Sequence, residues 1–165
     1  MMDDELSALS ARVGSALRAT AHVLATAESC TGGWVAEVVT ATAGSSAWFD
    51  CGFVTYSNTA KHRLLGVLPA TLAMHGAVSE AVALELARGA LLNSSATIAL
   101  SITGIAGPGG AVPGKPVGTV CFGWIVKNGA ERTETCHFDG DREAVRRSSV
   151  CHTLAVLLAL PGVQA

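Results

Sequence analysis

The sequence carries little charge. Of its 165 residues only 15% are charged, and 11 basic against 13 acidic side chains leave a formal charge of −2. Nucleic-acid binding draws on a Lys/Arg excess that displaces condensed counterions, so no direct DNA or RNA partner is expected. Long apolar runs are missing as well. The late stretch Leu154 to Leu160 falls far short of the roughly 20 residues that span a bilayer. The start, Met1-Met2-Asp3-Asp4-Glu5, is acidic and lacks the basic-then-apolar order of a signal peptide. A cytoplasmic protein without membrane association is expected. The five cysteines, Cys30, Cys51, Cys121, Cys136 and Cys151, are odd in number and form no C-x-x-C pair. That argues against a disulfide framework or a zinc site and leaves most of them as small buried hydrophobes. His22, His62, His75, His137 and His152 show no metal-ligand spacing. No G-x-G-x-x-G string supports a dinucleotide site. Neither a metal nor an organic cofactor is expected.

What the chain does have is apolar surface and glycine. Half of its residues are hydrophobic, which excludes disorder and supplies a core for one domain spanning 1–165. The eighteen glycines cluster, as they would in loops shaped around a ligand. Leu6, Leu9, Val13 and Leu17 predict a helix over Asp3 to Thr20. His22 to Ala27 reads as a buried strand, Trp34 to Thr40 as a helix, and Trp48 to Tyr56 as a strand. Asn58 is read as the cap of a short helix reaching Leu65. Pro69 opens another, and Ser79 caps a longer one over Glu80 to Leu92. Ala96 to Thr103 is the clearest core strand. Val117 to Lys127 and Arg132 to Phe138 form a hairpin around Asn128-Gly129, and Asp141 caps the last helix. Alternating helix and strand, then a hairpin, predict an α/β domain with a mixed sheet.

Four motifs carry chemistry. Ala27 to Gly33, AESCTGG, sits where a strand gives way to a helix. A serine there projects from a tight turn beside free N–H groups able to hold an oxyanion; the plainer reading makes Ser29 or Thr31 an N-cap. Lys61 follows Asn58 by three residues, at the positive end of its helix. Dipole and burial both lower its pKa there. A neutral lysine takes a proton from a hydroxyl, so Ser29 and Lys61 make a nucleophile and base. Tyr56, the only tyrosine, would relay the proton or hold the lysine; His62 is the rival base and Cys30 the rival nucleophile. Thr103 to Gly110 leaves the core strand as a glycine loop able to cradle an anion. Gly109 to Lys115 matches most of a P-loop, but Pro116 stands where the magnesium-binding hydroxyl belongs and a strand follows, so that reading is rejected. Arg142 opens the last helix, where an arginine beside helix N–H donors suits phosphate; Arg63 is its rival.

Taken in this order, these segments resemble the CinA C-terminal domain family. The likeness covers roughly Asp4 to Leu160 and rests on Ala27 to Gly33, Tyr56 to Lys61 with Leu64 to Val67, Gly76 to Glu80, Thr103 to Gly110, Lys115 to Thr119, and Gly140 to Arg142. Its enzymatically defined members are nicotinamide mononucleotide amidohydrolases of the PncC type. The resemblance implies a three-layer α/β/α sandwich and a Ser29/Lys61 dyad. It also implies a homodimer acting on a small nucleotide, in pyridine nucleotide salvage towards NAD biosynthesis. Cys30, Thr31, Gly32, Thr103, Gly104, Gly107 and Arg142 are then the candidate substrate-binding positions. The longer CinA proteins carry an additional N-terminal domain associated with nucleotide pyrophosphatase activity, and that activity is not expected here. A silent nucleotide-binding or interaction module, and a hydrolase of another nicotinamide nucleotide, are the alternatives.

Overall fold

The computed structural model describes residues 3–164; Met1, Met2 and Ala165, which the one-domain expectation included, lie outside the described residues. Helix α1 (Asp4–Ala19) leads to strand β1 (Leu24–Glu28), then α2 (Trp34–Thr40), a short 3₁₀ turn (Ser45–Ala47) and β2 (Phe49–Val54). Three helices follow, α3 (Asn58–Leu65), α4 (Pro69–His75) and α5 (Glu80–Leu92). The chain ends with β3 (Ile98–Gly104), β4 (Thr119–Val126), β5 (Glu131–His137) and α6 (Arg142–Ala159). The sheet order is β2-β1-β3-β4-β5. The first three strands are parallel and the last two antiparallel, joined through Asn128 in the left-handed region. This is the expected mixed-sheet α/β fold. Among the described residues no helix is long and apolar enough to cross a membrane.

Period-two alternation splits the sheet into two unequal faces. Leu24, Ile98, Leu100, Ile102, Phe122 and Trp124 join the larger core under α1, α2 and α6. Ala25, Ala27 and Ala99 pack with Leu86, Ala87 and Ala90 of α5 in the smaller one, where Leu65 of α3 also packs. Small side chains there let α5 lie almost backbone to backbone on the sheet. Gly123 marks the closest approach: a Cβ on it would stand 2.7 Å from the Ala83 carbonyl oxygen and 2.8 Å from Ser101 Oγ.

Connectivity fixes where a site can form. From β1 the chain crosses through α2 to β2 on one side. From β2 it crosses through α3, α4 and α5 to β3 on the other side of β1. The β1/β3 boundary is therefore the topological switch point, where a crevice opens beyond the carboxyl ends of the strands. Ser29 follows β1 there, Thr103 ends β3, and the segment after β2 carries Tyr56 and Lys61. Several boundaries differ from those read in the sequence. Glu28 lies inside β1 because its backbone continues the ladder, its carbonyl accepting from Thr55 N–H at 2.9 Å. Ser57, not Asn58, caps α3 by accepting from Ala60 N–H at 3.0 Å. Only Cys30 and Cys121 of the five cysteines are buried; Cys51, Cys136 and Cys151 are half-buried, and all five are free thiols.

The α5 contact gives a stability test. At Gly123→Ala the new methyl meets a carbonyl that cannot move without shifting the whole helix. Overpacking of this kind costs about 1–3 kcal/mol. Thermal unfolding should show a lower Tm for Gly123→Ala, while Gly109→Ala, with open space around its Cβ, should stay near the parent. Equal midpoints for all three proteins would contradict the close approach.

Candidate active site

Ser29 is held from both sides. Its N–H donates to the Ile102 carbonyl at 3.0 Å, so the ladder to β3 runs one residue past β1. Its own carbonyl accepts from Gly32 N–H at 3.0 Å, closing a tight turn whose next residues, Gly32 and Gly33, both adopt positive φ. The side chain is 8% exposed. Lys61, 1% exposed, enters from α3 and puts Nζ 3.0 Å from Ser29 Oγ. Nζ donates to the Thr55 carbonyl at 2.9 Å and reaches the Tyr56 carbonyl at 3.4 Å. Two carbonyls accept two N–H bonds, so in a neutral amine the remaining lone pair faces the serine hydroxyl. Among the described residues no carboxylate pairs with Lys61. Burial without a counter-charge holds its pKa below the ordinary lysine value. The cause is desolvation rather than the helix start. With Ser57 as cap, the Lys61 N–H already makes the first intrahelical bond, to the Ser57 carbonyl at 3.0 Å.

The helix start after Ser29 is not arranged as the sequence reading had it. Neither Ser29 nor Thr31 caps α2; the cap position is Gly33, with no side-chain bond of its own. The carboxylate of Glu28 does the work instead. Its Oε1 accepts from Thr31 Oγ1 at 2.7 Å and Val35 N–H at 2.9 Å, and its Oε2 from Ala36 N–H at 3.1 Å. Glu28 is 1% exposed, and burial raises its pKa while these donors oppose the rise. Gly32 N–H is likewise spent on Ser29. The backbone donors free to face an oxyanion at Ser29 therefore reduce to Cys30 and Thr31 N–H, for which the described residues offer no acceptor. The Cys30 side chain is 6% exposed and its thiol is pushed up to about 12, by burial first and by the nearby Glu28 charge second. A thiol in that state is a poor nucleophile.

The other candidates fall around two adjoining cavities. An inner one of about 200 Å³ is lined by Ser29, Cys30, Lys61, Thr103, Gly104 and Arg142, with Tyr56 and Asn58 at its side. An outer one of about 520 Å³ is lined by Thr31, Gly32, Gly33, Trp34, Arg142 and Arg146, with Glu37 and Glu143 also present. Arg142 forms part of both walls. Its Nη1 donates to the Gly107 carbonyl at 2.9 Å and its Nη2 to the Tyr56 hydroxyl at 2.8 Å. The Tyr56 ring, 62% exposed, thus braces the arginine, and only the Tyr56 carbonyl touches Lys61. Thr103 Oγ1 donates to the Ala77 carbonyl at 2.9 Å, tying β3 to the loop before α5. Gly104 lies against Cys30, where a Cβ would stand 3.1 Å from Sγ. Two rivals are set apart: Arg63 lines a separate hollow between α3 and α5, and His62 Nδ1 donates to the Val67 carbonyl at 2.9 Å.

Glu28 and Arg146 are the functional neighbours that sequence reasoning passed over. Arg146 Nε donates to the Cys30 carbonyl at 3.0 Å and Nη2 to the Thr31 carbonyl at 3.1 Å, and its guanidinium lies over Trp34 at 5.3 Å. It clamps the nucleophile turn from α6. The signal available for it was its place one turn after Arg142, on the same helix face.

Comparison with known proteins identifies the family. The CinA C-terminal domain profile matches residues 6–160. The chain is 55% identical over 157 residues to the nicotinamide-nucleotide amidohydrolase PncC of Escherichia coli K12, covering 95% of each chain. It is 48% identical to the Pseudomonas putida protein of the same name, covering 95% of this chain and 98% of that one. The crystal structure of the competence/damage inducible protein CihA from Agrobacterium tumefaciens superposes with a TM-score of 0.92 at 41% identity, covering 96% of this chain and 97% of that one. The profile spans nearly the whole chain, and these relatives match it end to end; the chain belongs to the CinA C-terminal domain family.

Proposed function

We propose that the protein is an amidohydrolase that converts nicotinamide mononucleotide to nicotinate mononucleotide and ammonia through a Ser29/Lys61 dyad. The observation that carries this reading is a buried lysine without a counter-charge, 3.0 Å from a serine hydroxyl at the switch point of the sheet. The names of the relatives supply the substrate class. Ser29 Oγ attacks the carboxamide carbon while neutral Lys61 takes its proton. Cys30 and Thr31 N–H hold the oxyanion of the tetrahedral intermediate. Lys61, now an ammonium, returns the proton to the departing nitrogen, which leaves as ammonia. Water, deprotonated by Lys61, then releases the acid from Ser29.

The amide fills the inner cavity and the ribose phosphate extends into the outer one, where Arg142 and Arg146 present cationic edges without a described carboxylate partner. Tyr56, Gly107 and the Thr103–Gly104 end of β3 hold that wall in place. On this reading the enzyme works as a cytoplasmic homodimer that returns the pyridine ring to NAD synthesis. The deciding experiment measures ammonia release by the purified protein from the mononucleotide, the riboside and the dinucleotide in parallel. Release fastest from the mononucleotide supports the reading; release from none of them refutes it.

The nucleophile is tested by two neighbouring substitutions. Ser29→Ala should lower turnover by at least about 1,000-fold, whereas Cys30→Ala should retain most of it. Inactivation by thiol reagents that Cys30→Ala abolishes, with Ser29→Ala still active, would reverse the assignment.

The base is tested by pH. A lysine whose folded pKa lies below its unfolded value disfavours the folded state wherever the unfolded amine is charged, and that cost disappears as pH rises above the unfolded pKa. Lys61→Met should therefore abolish turnover without lowering Tm at neutral pH. In the parent, kcat should rise with pH through the depressed lysine pKa. A flat profile over that range would remove Lys61 as base.

Phosphate recognition is tested at Arg142. A charge-assisted contact contributes about 1.5–3 kcal/mol, so Arg142→Ala should raise KM for the mononucleotide by roughly 10- to 150-fold. The phosphate-free riboside should change little. Equal losses on both substrates would assign Arg142 to structure alone.

A further inference from the structure

Three metal-ligating side chains meet outside the cavities described above. Glu134 and Cys136 are two residues apart on β5, so they share the face that looks at α6. His152, in the third turn of α6, closes on them. Its Nε2 lies 3.1 Å from Glu134 Oε2 and 3.4 Å from Cys136 Sγ, and one ligand atom from each residue falls within 4.8 Å of the others. Linear spacing conceals the group, because its members come from an edge strand and a helix. None of the three lines the inner or outer cavity. β5 is two strands, or about 10 Å, from β3, and His152 is ten residues, or about 15 Å, along α6 from Arg142.

Glu134 Oε2 and Cys136 Sγ converge on the same His152 nitrogen, which carries only one hydrogen or one lone pair to share between them. A cation between the three serves all of them. The two separations from His152 Nε2, 3.1 and 3.4 Å, are close to those of a bound ion: ligand atoms around tetrahedral zinc, with bonds of about 2.0–2.3 Å, stand roughly 3.3–3.6 Å apart. The ring is also held in place, packed against Phe122 at 4.9 Å, Phe138 at 5.9 Å and Trp124 at 6.3 Å. Glu134 and His152 side chains are about one-third and one-quarter exposed, which leaves a fourth position open to water. A thiol with an imidazole selects zinc-class ions over magnesium or calcium. Arg132 reaches the same Glu134 oxygen at 3.5 Å and competes with a bound ion.

We propose that Glu134, Cys136 and His152 bind a zinc-class divalent ion, with water as fourth ligand, that braces edge strand β5 against α6 and takes no part in the reaction at Ser29. Binding converts the Cys136 thiol to thiolate and releases its proton to solvent. The dication is then neutralised by one thiolate and one carboxylate.

The test uses the full chain stripped with EDTA, then titrated with zinc by calorimetry and with cobalt(II) by absorption. One equivalent should bind, a sulfur-to-cobalt charge-transfer band should appear, and about one proton should be released per ion. At a hundredfold excess of zinc over Kd, Tm should rise by roughly 5–10 °C, with amidase turnover unchanged by stripping or reloading. Cys136→Ser and His152→Ala should each weaken zinc binding at least tenfold and remove the cobalt band; Cys51→Ser should do neither. Cys136→Ser is nearly isosteric, so it decides the matter if His152→Ala misfolds. Absence of stoichiometric binding, or equal affinity in Cys136→Ser, overturns the proposal. So does loss of turnover on stripping that zinc restores, because it places the ion in the reaction.

Discussion

Lys61 is buried beside Ser29 without an opposing charge among the described residues, and the geometry around Ser29 answers to that constraint. An ammonium there would be desolvated and unpaired, which is costly. The backbone resolves the conflict with two carbonyls, those of Thr55 and Tyr56, placed where β2 runs out. They satisfy the N–H groups without stabilising a positive charge as a carboxylate would. The nearest acid in sequence to Ser29, Glu28, is turned away and absorbed by the donors that open α2. Were it turned towards Lys61, it would pair with the amine and keep it protonated.

Glu28 and Arg146 divide the support of the nucleophile turn between them. The acid fastens the turn's helical side through N–H groups, and the arginine fastens its carbonyls from α6. The Ser29, Cys30 and Thr31 carbonyls and the Gly32 N–H of the turn are engaged, whereas no acceptor among the described residues takes the Cys30 or Thr31 N–H. A site that develops negative charge in its transition state gains most from donors already oriented and not committed elsewhere.

Much of this was legible in the sequence. The strand-to-helix break at Glu28 to Gly33, the Asn128-Gly129 hairpin and the Ser79 and Asp141 caps follow from local spacing and turn chemistry, whereas the pairing of Ser29 with Lys61, 32 residues apart, was implied by the family resemblance. What stayed hidden depends on contacts distant in sequence. Glu28 serves as a cap seven residues before Val35, a spacing that no linear capping rule contains. Tyr56 was read as a partner of Lys61 because the two are close in sequence, yet its hydroxyl crosses to Arg142, 86 residues away. The metal-ligating trio needs the register between β5 and α6, which a sequence does not display. Asn58 lost the cap to Ser57 because either residue type suits that position, and one step of phase decided between them.

The unequal faces of the sheet bear on how the chain can vary. On the thick side, large aliphatic and aromatic side chains interlock, and volume can be exchanged between neighbours: a larger residue at one position is offset by a smaller one beside it. On the thin side, Gly123 faces the α5 main chain, whose Ala83 carbonyl would stand 2.7 Å from a Cβ there. A larger residue at Gly123 cannot be offset by a smaller side chain on α5. Drift in sequence is therefore channelled into the α1/α2/α6 layer, while the layer under α5 holds the strand spacing, and with it the crevice between β1 and β3, at a fixed gauge.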